Sequence, residues 1–145
     1  ILHPRLFDKK KAAGKVTGHY FIQDYHVARK IFINNPKRHI DIGSSIYGFV
    51  AHVAIFRPIE VLDIRELKSP VENIYFRRAD IMKPPEDLIN ACDSISSLHA
   101  LEHVGLGRYG DSIDADGFRK AFSNIARSSL INRGYLKFSS DVICL

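Results

Sequence analysis

The chain has 145 residues, of which 46% are hydrophobic and 26% charged, and this composition is typical of one globular domain. Its two cysteines are too few for a disulfide framework, and no apolar run reaches the length of a membrane span. The formal net charge is +5, but no strand-like segment alternates basic and aromatic residues, which disfavours nucleic acid as a partner. We therefore expect a cytoplasmic protein with reduced thiols.

The first 36 residues are predicted to form a basic arm and a helix, and residues 37–145 to form the core. Apolar residues recur at helical spacing over 22–32, and the run Asn34-Asn35-Pro36 ends that helix. The charge of the arm comes from four lysines, Lys9, Lys10, Lys11 and Lys15. A solvated surface arm is the simplest interpretation of this charge.

Strands and helices alternate through the rest of the chain. We predict strands over 39–42, 59–64, 73–77, 92–98 and 135–139, and helices over 47–56, 84–90 and 118–130. Such alternation with short loops predicts an α/β fold with a mainly parallel sheet and right-handed crossovers. The expected strand order is 3-2-1-4-5, which places the usual ligand position between strands one and four.

The segment between Arg38 and Asp63 carries the strongest functional pattern. A short strand reaches the acidic residue Asp41, a turn with Gly43 follows, and the next strand reaches Asp63, which lies 20 residues after Gly43. In nucleotide-binding α/β folds an acidic residue at about this interval meets a ribose hydroxyl. Ser44 and the absence of a basic residue in the turn disfavour a diphosphate and fit a ribose or an amino-acid moiety. The alternative is an ordinary strand–helix turn.

Two further segments follow the later strands. Asp80 comes after strand three, where it can reach an adenine amino group or simply stabilise a turn. The segment after strand four contains H-x-x-E-H from His99 to His103, which matches an inverted zinc-protease motif. Because Gly105 cuts any helix short, we predict no metal site and interpret His99 as a general base.

A glycine-rich loop over 105–111 is predicted to lie beside the same pocket. Its residues Arg108, Tyr109 and Asp111 are candidates for binding an acceptor substrate. The alternative is a polar loop that merely crosses the end of the sheet.

Together these segments resemble the successive motifs of class I S-adenosylmethionine-dependent methyltransferases. The matching runs are 41–43 (Asp-Ile-Gly), 61–63 (Val-Leu-Asp), 79–80 (Ala-Asp), 93–104 and 134–136 (Gly-Tyr-Leu). The stretch from Gly43 to Asp111 resembles more closely an uncharacterised methyltransferase-like family associated with bacterial surface-polysaccharide genes. Its most specific parts are the blocks Leu-Glu-His-Val at 101–104 and Gly-Arg-Tyr-Gly-Asp at 107–111. The resemblance covers about residues 18–139.

This resemblance implies a Rossmann-like three-layer fold that binds S-adenosylmethionine. Asp41, Gly43 and Ser44 would line the methionine part, Asp63 would hold the ribose and Asp80 the adenine. No Asn-Pro-Pro-Tyr-like motif follows strand four, so the implied methyl acceptor is an oxygen of a small molecule such as a saccharide. The alternative is a non-catalytic Rossmann-like binding module.

Methyltransferases of this class continue with two more strands after strand five, and this sequence does not supply them. The apolar residues 142–145 would then lie at an edge of the sheet. Because exposed apolar edges tend to pair with another chain, we expect either a homodimer or a C-terminal segment that covers this edge.

Overall fold

A computed structural model of the chain describes residues 18–129, 137–139 and 142–144. Its helices are α1 (His19–Asn34), α2 (Ala51–Ala54) and α3 (Gly117–Ser128), and a π-helical turn, Ile46–Val50, leads into α2. Two 3₁₀ turns lie at Glu86–Leu88 and Leu101–His103. The strands are β1 (His39–Ile42), β2 (Ile59–Asp63), β3 (Ile74–Arg78), β4 (Ser94–Leu98), β5 (Lys137–Ser139) and β6 (Val142–Cys144).

All strands belong to one sheet of order β3-β2-β1-β4-β6-β5. The first four are parallel, with β1 paired to β2 and β4, and β2 paired to β3. The α/β class and the order 3-2-1-4 are therefore confirmed. The carboxyl ends of these four strands meet at one edge of the sheet, as a parallel arrangement requires.

The prediction that the fifth strand lies directly beside the fourth is wrong. The position beside β4 is taken by β6, which runs antiparallel to both β4 and β5. Ser139 pairs with Val142, so only two residues separate the paired strands. Strands joined by so short a connection pair antiparallel and enter a sheet together. No strand was predicted over 142–144, so the prediction missed this pair. The segment 142–144 is thus an inner strand between β4 and β5.

The parallel part of the sheet is covered on both faces, which makes three layers. One apolar core lies under α1 and α2, and it contains Val27, Ile31, Phe49, Val53, Ile59 and Val61. The other lies under α3 and the two 3₁₀ turns, and it contains Ile40, Ile42, Leu62, Leu88, Ile95 and Ile125. Successive residues of a strand point to opposite faces, so each inner strand needs apolar side chains in both layers. All four residues of β1 are buried.

The helix bounds differ from the predicted ones where the backbone is irregular. Helix α1 ends because Asn35 takes a left-handed conformation, with φ 41°, and returns its N–H to the carbonyl of Ile31. The predicted helix over 47–56 is divided, since Gly48 has non-helical dihedrals of φ −104° and ψ −107°. The basic arm before Gly18 and the predicted end of the last helix at 132–134 lie outside the described residues. No helix in the described part of the chain is long and apolar enough to cross a membrane.

The starts of β1 and β4 are joined by one carboxylate. Asp93 accepts hydrogen bonds from the backbone amides of Lys37 at 2.7 Å and Arg38 at 2.8 Å. Partial burial acts to raise the pKa of Asp93, but these two amides, its own backbone amide and the charge of Arg57 together hold the pKa below its usual range. The ionised carboxylate therefore stabilises the fold at neutral pH, and this contribution is lost as the pH falls through the lowered pKa.

We expect Asp93→Ala to lower the free energy of unfolding at pH 7 by roughly 1–3 kcal/mol, since it leaves two strand-end amides without their charged acceptor. Urea denaturation measures the change. Asp87→Ala is the matched control, because Asp87 pairs with Arg77 at the exposed surface and such pairs contribute little. Equal stability of the two variants would contradict a special role for Asp93.

Candidate functional site

The carboxyl ends of the four parallel strands open into a cavity of about 460 Å³. Its walls come from α1, the turn after β1, the ends of β2 and β3, and the chain after β4. The predicted site residues that line it are Gly43, Ser44, Asp63, Asp80, His99, Tyr109 and Asp111. Asp41 and Arg108 are not among the lining residues, although both were predicted to contact a ligand.

Asp41 lies behind the wall and holds it in place. It is fully buried and accepts hydrogen bonds from the Ser44 amide at 3.0 Å, the Ser44 hydroxyl at 2.6 Å and the Ser96 hydroxyl at 2.7 Å. Burial raises the pKa of Asp41 to about 6, while the hydroxyls of Ser44 and Ser96 act in the opposite direction. Because the folded pKa exceeds the usual value of 3.8, ionisation of Asp41 opposes folding, and these hydrogen bonds limit that cost.

The hydrogen bonds of Asp41 continue into a buried polar network between β1 and β4. The ring of His39 reaches the Ser94 hydroxyl through Nδ1 at 2.8 Å and the Ser96 hydroxyl through Nε2 at 3.1 Å. Burial lowers the pKa of His39 to about 3, so its ring is neutral at pH 7. Since Ser96 gives its one proton to Asp41, Nε2 of His39 must donate and Nδ1 must accept from Ser94.

The turn after β1 packs directly against the chain after β4. Gly43 has φ +73°, and a Cβ atom at this position would lie only 2.8 Å from the Cβ of Ala100. The hydroxyl of Ser44 accepts a hydrogen bond from the Leu98 amide at 2.9 Å. A larger residue at position 43 would be strained in conformation and would push these two segments apart. The glycine therefore shapes the floor of the cavity.

Asp63, the predicted ribose ligand, already has a partner. Its Oδ1 accepts from the backbone amide of Arg65 at 2.8 Å and from its Nε at 2.9 Å, and its Oδ2 accepts from Nη2 at 2.5 Å. The same guanidinium lies 4.4 Å from the ring centre of Tyr109. Arg65 thus joins the end of β2 to the glycine-rich loop, and a ligand that binds Asp63 must share or displace it.

Asp80 follows β3 and forms a turn while facing the cavity. Its Oδ1 accepts a hydrogen bond from the Met82 amide at 2.9 Å. The two interpretations of this residue, turn former and ligand contact, are therefore compatible, because the other carboxylate oxygen has no hydrogen bond to the described residues.

His99 lines the cavity from an unusual backbone position. Its φ is +56°, and its Nε2 is buried without a hydrogen-bond partner among the described residues. The ring of Tyr20 lies 4.2 Å from the His99 ring, centre to centre, and the ring of His19 lies 5.6 Å away. A left-handed conformation is uncommon outside glycine and is found more often at functional sites.

The glycine-rich loop owes its shape to Asp111. Its carboxylate accepts from the amides of Gly105 at 2.8 Å, Gly107 at 3.1 Å and Tyr109 at 3.1 Å. Slight burial acts to raise the pKa of Asp111, but these amides together lower it. The carboxylate oxygens of Asp111, which were predicted to bind substrate, therefore hold the loop in its conformation. Arg108 instead has Nη1 3.2 Å from Nε2 of His103, and its guanidinium lies 5.2 Å from the ring centre of Tyr109.

The H-x-x-E-H segment forms only a three-residue 3₁₀ turn, Leu101–His103. Oε1 of Glu102 lies 3.7 Å from Nε2 of His103, and among the described residues no group of histidine, cysteine and carboxylate side chains is arranged to hold a metal ion. The absence of a metal site remains a prediction.

Helix α1 contributes two lining residues that the sequence did not suggest, Tyr20 and Asp24. Tyr20 belongs to the segment predicted as an arm, and Asp24 lies inside the predicted helical stretch 22–32, where no function was assigned to it. A signal was available, because Asp24 is an acidic residue one turn after Tyr20 on a mainly apolar stretch. Which pocket that stretch would face is decided by tertiary packing.

Comparison of the chain with models of protein families, with curated proteins and with solved structures found no match.

We expect Ser96→Ala to lower the free energy of unfolding by roughly 2–3 kcal/mol, because it removes a donor from buried Asp41 and leaves the Nε2 proton of His39 without an acceptor. Its neighbour Ser97 is equally buried but makes one hydrogen bond, to the carbonyl of Ile42 at 2.8 Å. Ser97→Ala should therefore cost only about 1 kcal/mol. Urea denaturation of both variants tests the difference, and a larger loss in Ser97→Ala would refute the network as described.

Proposed function

We propose that this is a class I methyltransferase-like domain with a Rossmann-like fold, which binds S-adenosylmethionine and transfers its methyl group to an oxygen of a small acceptor such as a saccharide. The observation that carries the proposal is a single cavity that combines the Gly43 turn, acids after β2 and β3, and His99 after β4. The sequence resemblance assigns the Gly43 turn and these acids to the cofactor, and the chemistry of the imidazole makes His99 the candidate base.

The charge of the cavity supports a cationic ligand. Five acids line it, namely Asp24, Asp63, Glu66, Asp80 and Asp111, against one arginine and no lysine among the described residues. The chain as a whole carries a net charge of +5, so the charge of this cavity is opposite in sign to that of the whole chain. An acidic cavity favours a sulfonium compound and disfavours nucleotides that carry several phosphates. A volume of about 460 Å³ lies within the range of small-molecule sites.

In this proposal Asp63 binds the ribose hydroxyls, Asp80 the adenine, and the turn of Gly43 and Ser44 the methionine part. The bound cofactor would supply an electrophilic methyl group on a cationic sulfur. Nε2 of His99 is buried beside the ring of Tyr20 and has no hydrogen-bond partner among the described residues. Once the Tyr20 ring moves aside, Nε2 would take the proton of an acceptor hydroxyl. Tyr109, with Arg108 and Asp111 behind it, would close the acceptor side, and the bound geometry would supply much of the rate.

A second candidate function is a binding module without turnover, and the ion pair of Asp63 with Arg65 favours it. An acid that is already fully hydrogen-bonded gains less from a ribose than a free acid does. Formation of methylated product from S-adenosylmethionine in the presence of saccharide acceptors separates an enzyme from such a module.

The ribose assignment is tested by titration calorimetry with S-adenosylhomocysteine. We expect Asp63→Ala to weaken binding at least about tenfold, since hydrogen bonds to charged groups contribute roughly 1.5–3 kcal/mol each. Arg65→Ala should tighten binding, because it frees both carboxylate oxygens of Asp63 for the ribose. Circular dichroism checks that both variants are folded. Unchanged affinity in folded Asp63→Ala would remove this residue from the site.

A further inference from the structure

We propose that Asp24 binds the ammonium group of the amino-acid part of the ligand, so that helix α1 completes the site. This inference rests on the proposed function and deepens it. It predicts that the cavity distinguishes adenosine compounds that carry an amino acid from those that lack one.

Asp24 is placed against the turn that follows β1. It lies on the buried side of α1, has 9% of its surface exposed, and lines the cavity together with Ser44 and His99. The chain makes room for it at Gly48, where an added Cβ atom would overlap Oδ2 of Asp24. The backbone amide of Phe49 lies close enough to favour the ionised form of the carboxylate. The side chain is thus fixed at the wall by the turn itself.

The carboxylate of Asp24 lacks a cationic partner within the described part of the chain. No lysine or arginine among the described residues forms an ion pair with it. Two imidazoles are near enough to affect it, His99 and His52, but Nδ1 of His52 donates to the Gly48 carbonyl at 2.7 Å. Burial raises the pKa of Asp24, and the two histidines and the Phe49 amide only partly offset this. A buried acid in this state is stabilised by a cation that arrives with a ligand.

The order of the strands indicates which end of the ligand Asp24 meets. Asp80 follows β3, Asp63 follows β2 and the Gly43 turn follows β1, and these strands are neighbours in that order. Adjacent strands lie about 4.8 Å apart, so the line from Asp80 to the Gly43 turn spans about 10 Å. An adenosine on Asp80 and Asp63 therefore extends its 5′ substituent towards the Gly43 turn and α1. The ammonium group is the cationic end of that substituent.

Calorimetry with two probes tests this assignment. S-adenosylhomocysteine carries the amino acid, and 5′-methylthioadenosine has the same adenosine and sulfur without it. We expect the wild-type protein to bind S-adenosylhomocysteine more tightly. Asp24→Asn should weaken the affinity for S-adenosylhomocysteine at least about tenfold and change the affinity for 5′-methylthioadenosine less than about twofold. Glu72→Gln removes one exposed acid outside the cavity and is the charge-matched control, with both affinities unchanged.

The thermal stability of the ligand-free variant gives a second readout. Asp24→Asn removes a buried charge whose ionisation opposes folding, so its melting temperature at pH 7 should be higher than that of the wild type. If the Asp24 carboxylate served only to stabilise the fold, Asp24→Asn would have a lower melting temperature than the wild type. Equal weakening of both probes, or no weakening of either, would overturn the assignment of Asp24 while leaving the proposed function intact. A wild-type protein that binds neither probe would overturn the proposed function and this inference with it.

Discussion

The hydrogen bonds that gather on the buried carboxylate of Asp41 are the interaction on which the rest of the site depends. They join β1 to β4, because the Ser96 hydroxyl donates to Asp41. They also hold Ser44 so that its hydroxyl accepts a hydrogen bond from the amide of Leu98. A carboxylate of this kind is costly to bury and is retained only where several donors converge on it. Because Gly43 and His99 lie immediately beyond these contacts, the network sets the distance between the Gly43 turn and His99 across the cavity.

The parallel sheet turns separate sequence segments into one row of functional groups. Asp80, Asp63 and the Gly43 turn follow three neighbouring strands, and His99 follows the fourth. Two contacts then close the row from outside. Arg65 connects Asp63 to Tyr109 of the glycine-rich loop, and Tyr20 of α1 covers the ring of His99. The cavity is therefore bounded by a rigid sheet edge on one side and by a loop and a helix on the other.

Several groups in this cavity carry an energetic cost that the fold alone does not recover. In the described part of the chain, Nε2 of His99 is buried without a partner, the His99 backbone is left-handed, and Asp24 is a buried acid that forms no ion pair with a lysine or arginine. Outside the cavity, buried side-chain atoms of Gln23 and Arg57 also have no hydrogen-bond partner among the described residues, whereas the carboxylate of Asp93 is satisfied by backbone amides. Unsatisfied groups that cluster in one cavity are expected where a ligand completes the hydrogen bonding.

The sequence by itself determined the α/β class, the four parallel strands in the order 3-2-1-4 and the positions of Gly43, Asp63, Asp80 and His99 near one cavity, because hydrophobic periodicity and turn residues are local signals. Only the tertiary structure decided what each side chain contacts. In the structure, Asp41 lies behind the cavity wall and Asp63 pairs with Arg65. The carboxylate of Asp111 accepts hydrogen bonds from its own loop, and Asp24 of α1 lines the cavity. The tertiary structure also places β6 between β4 and β5. These outcomes depend on packing between segments far apart in the chain, and no local pattern encodes which of several competing donors an acid will meet.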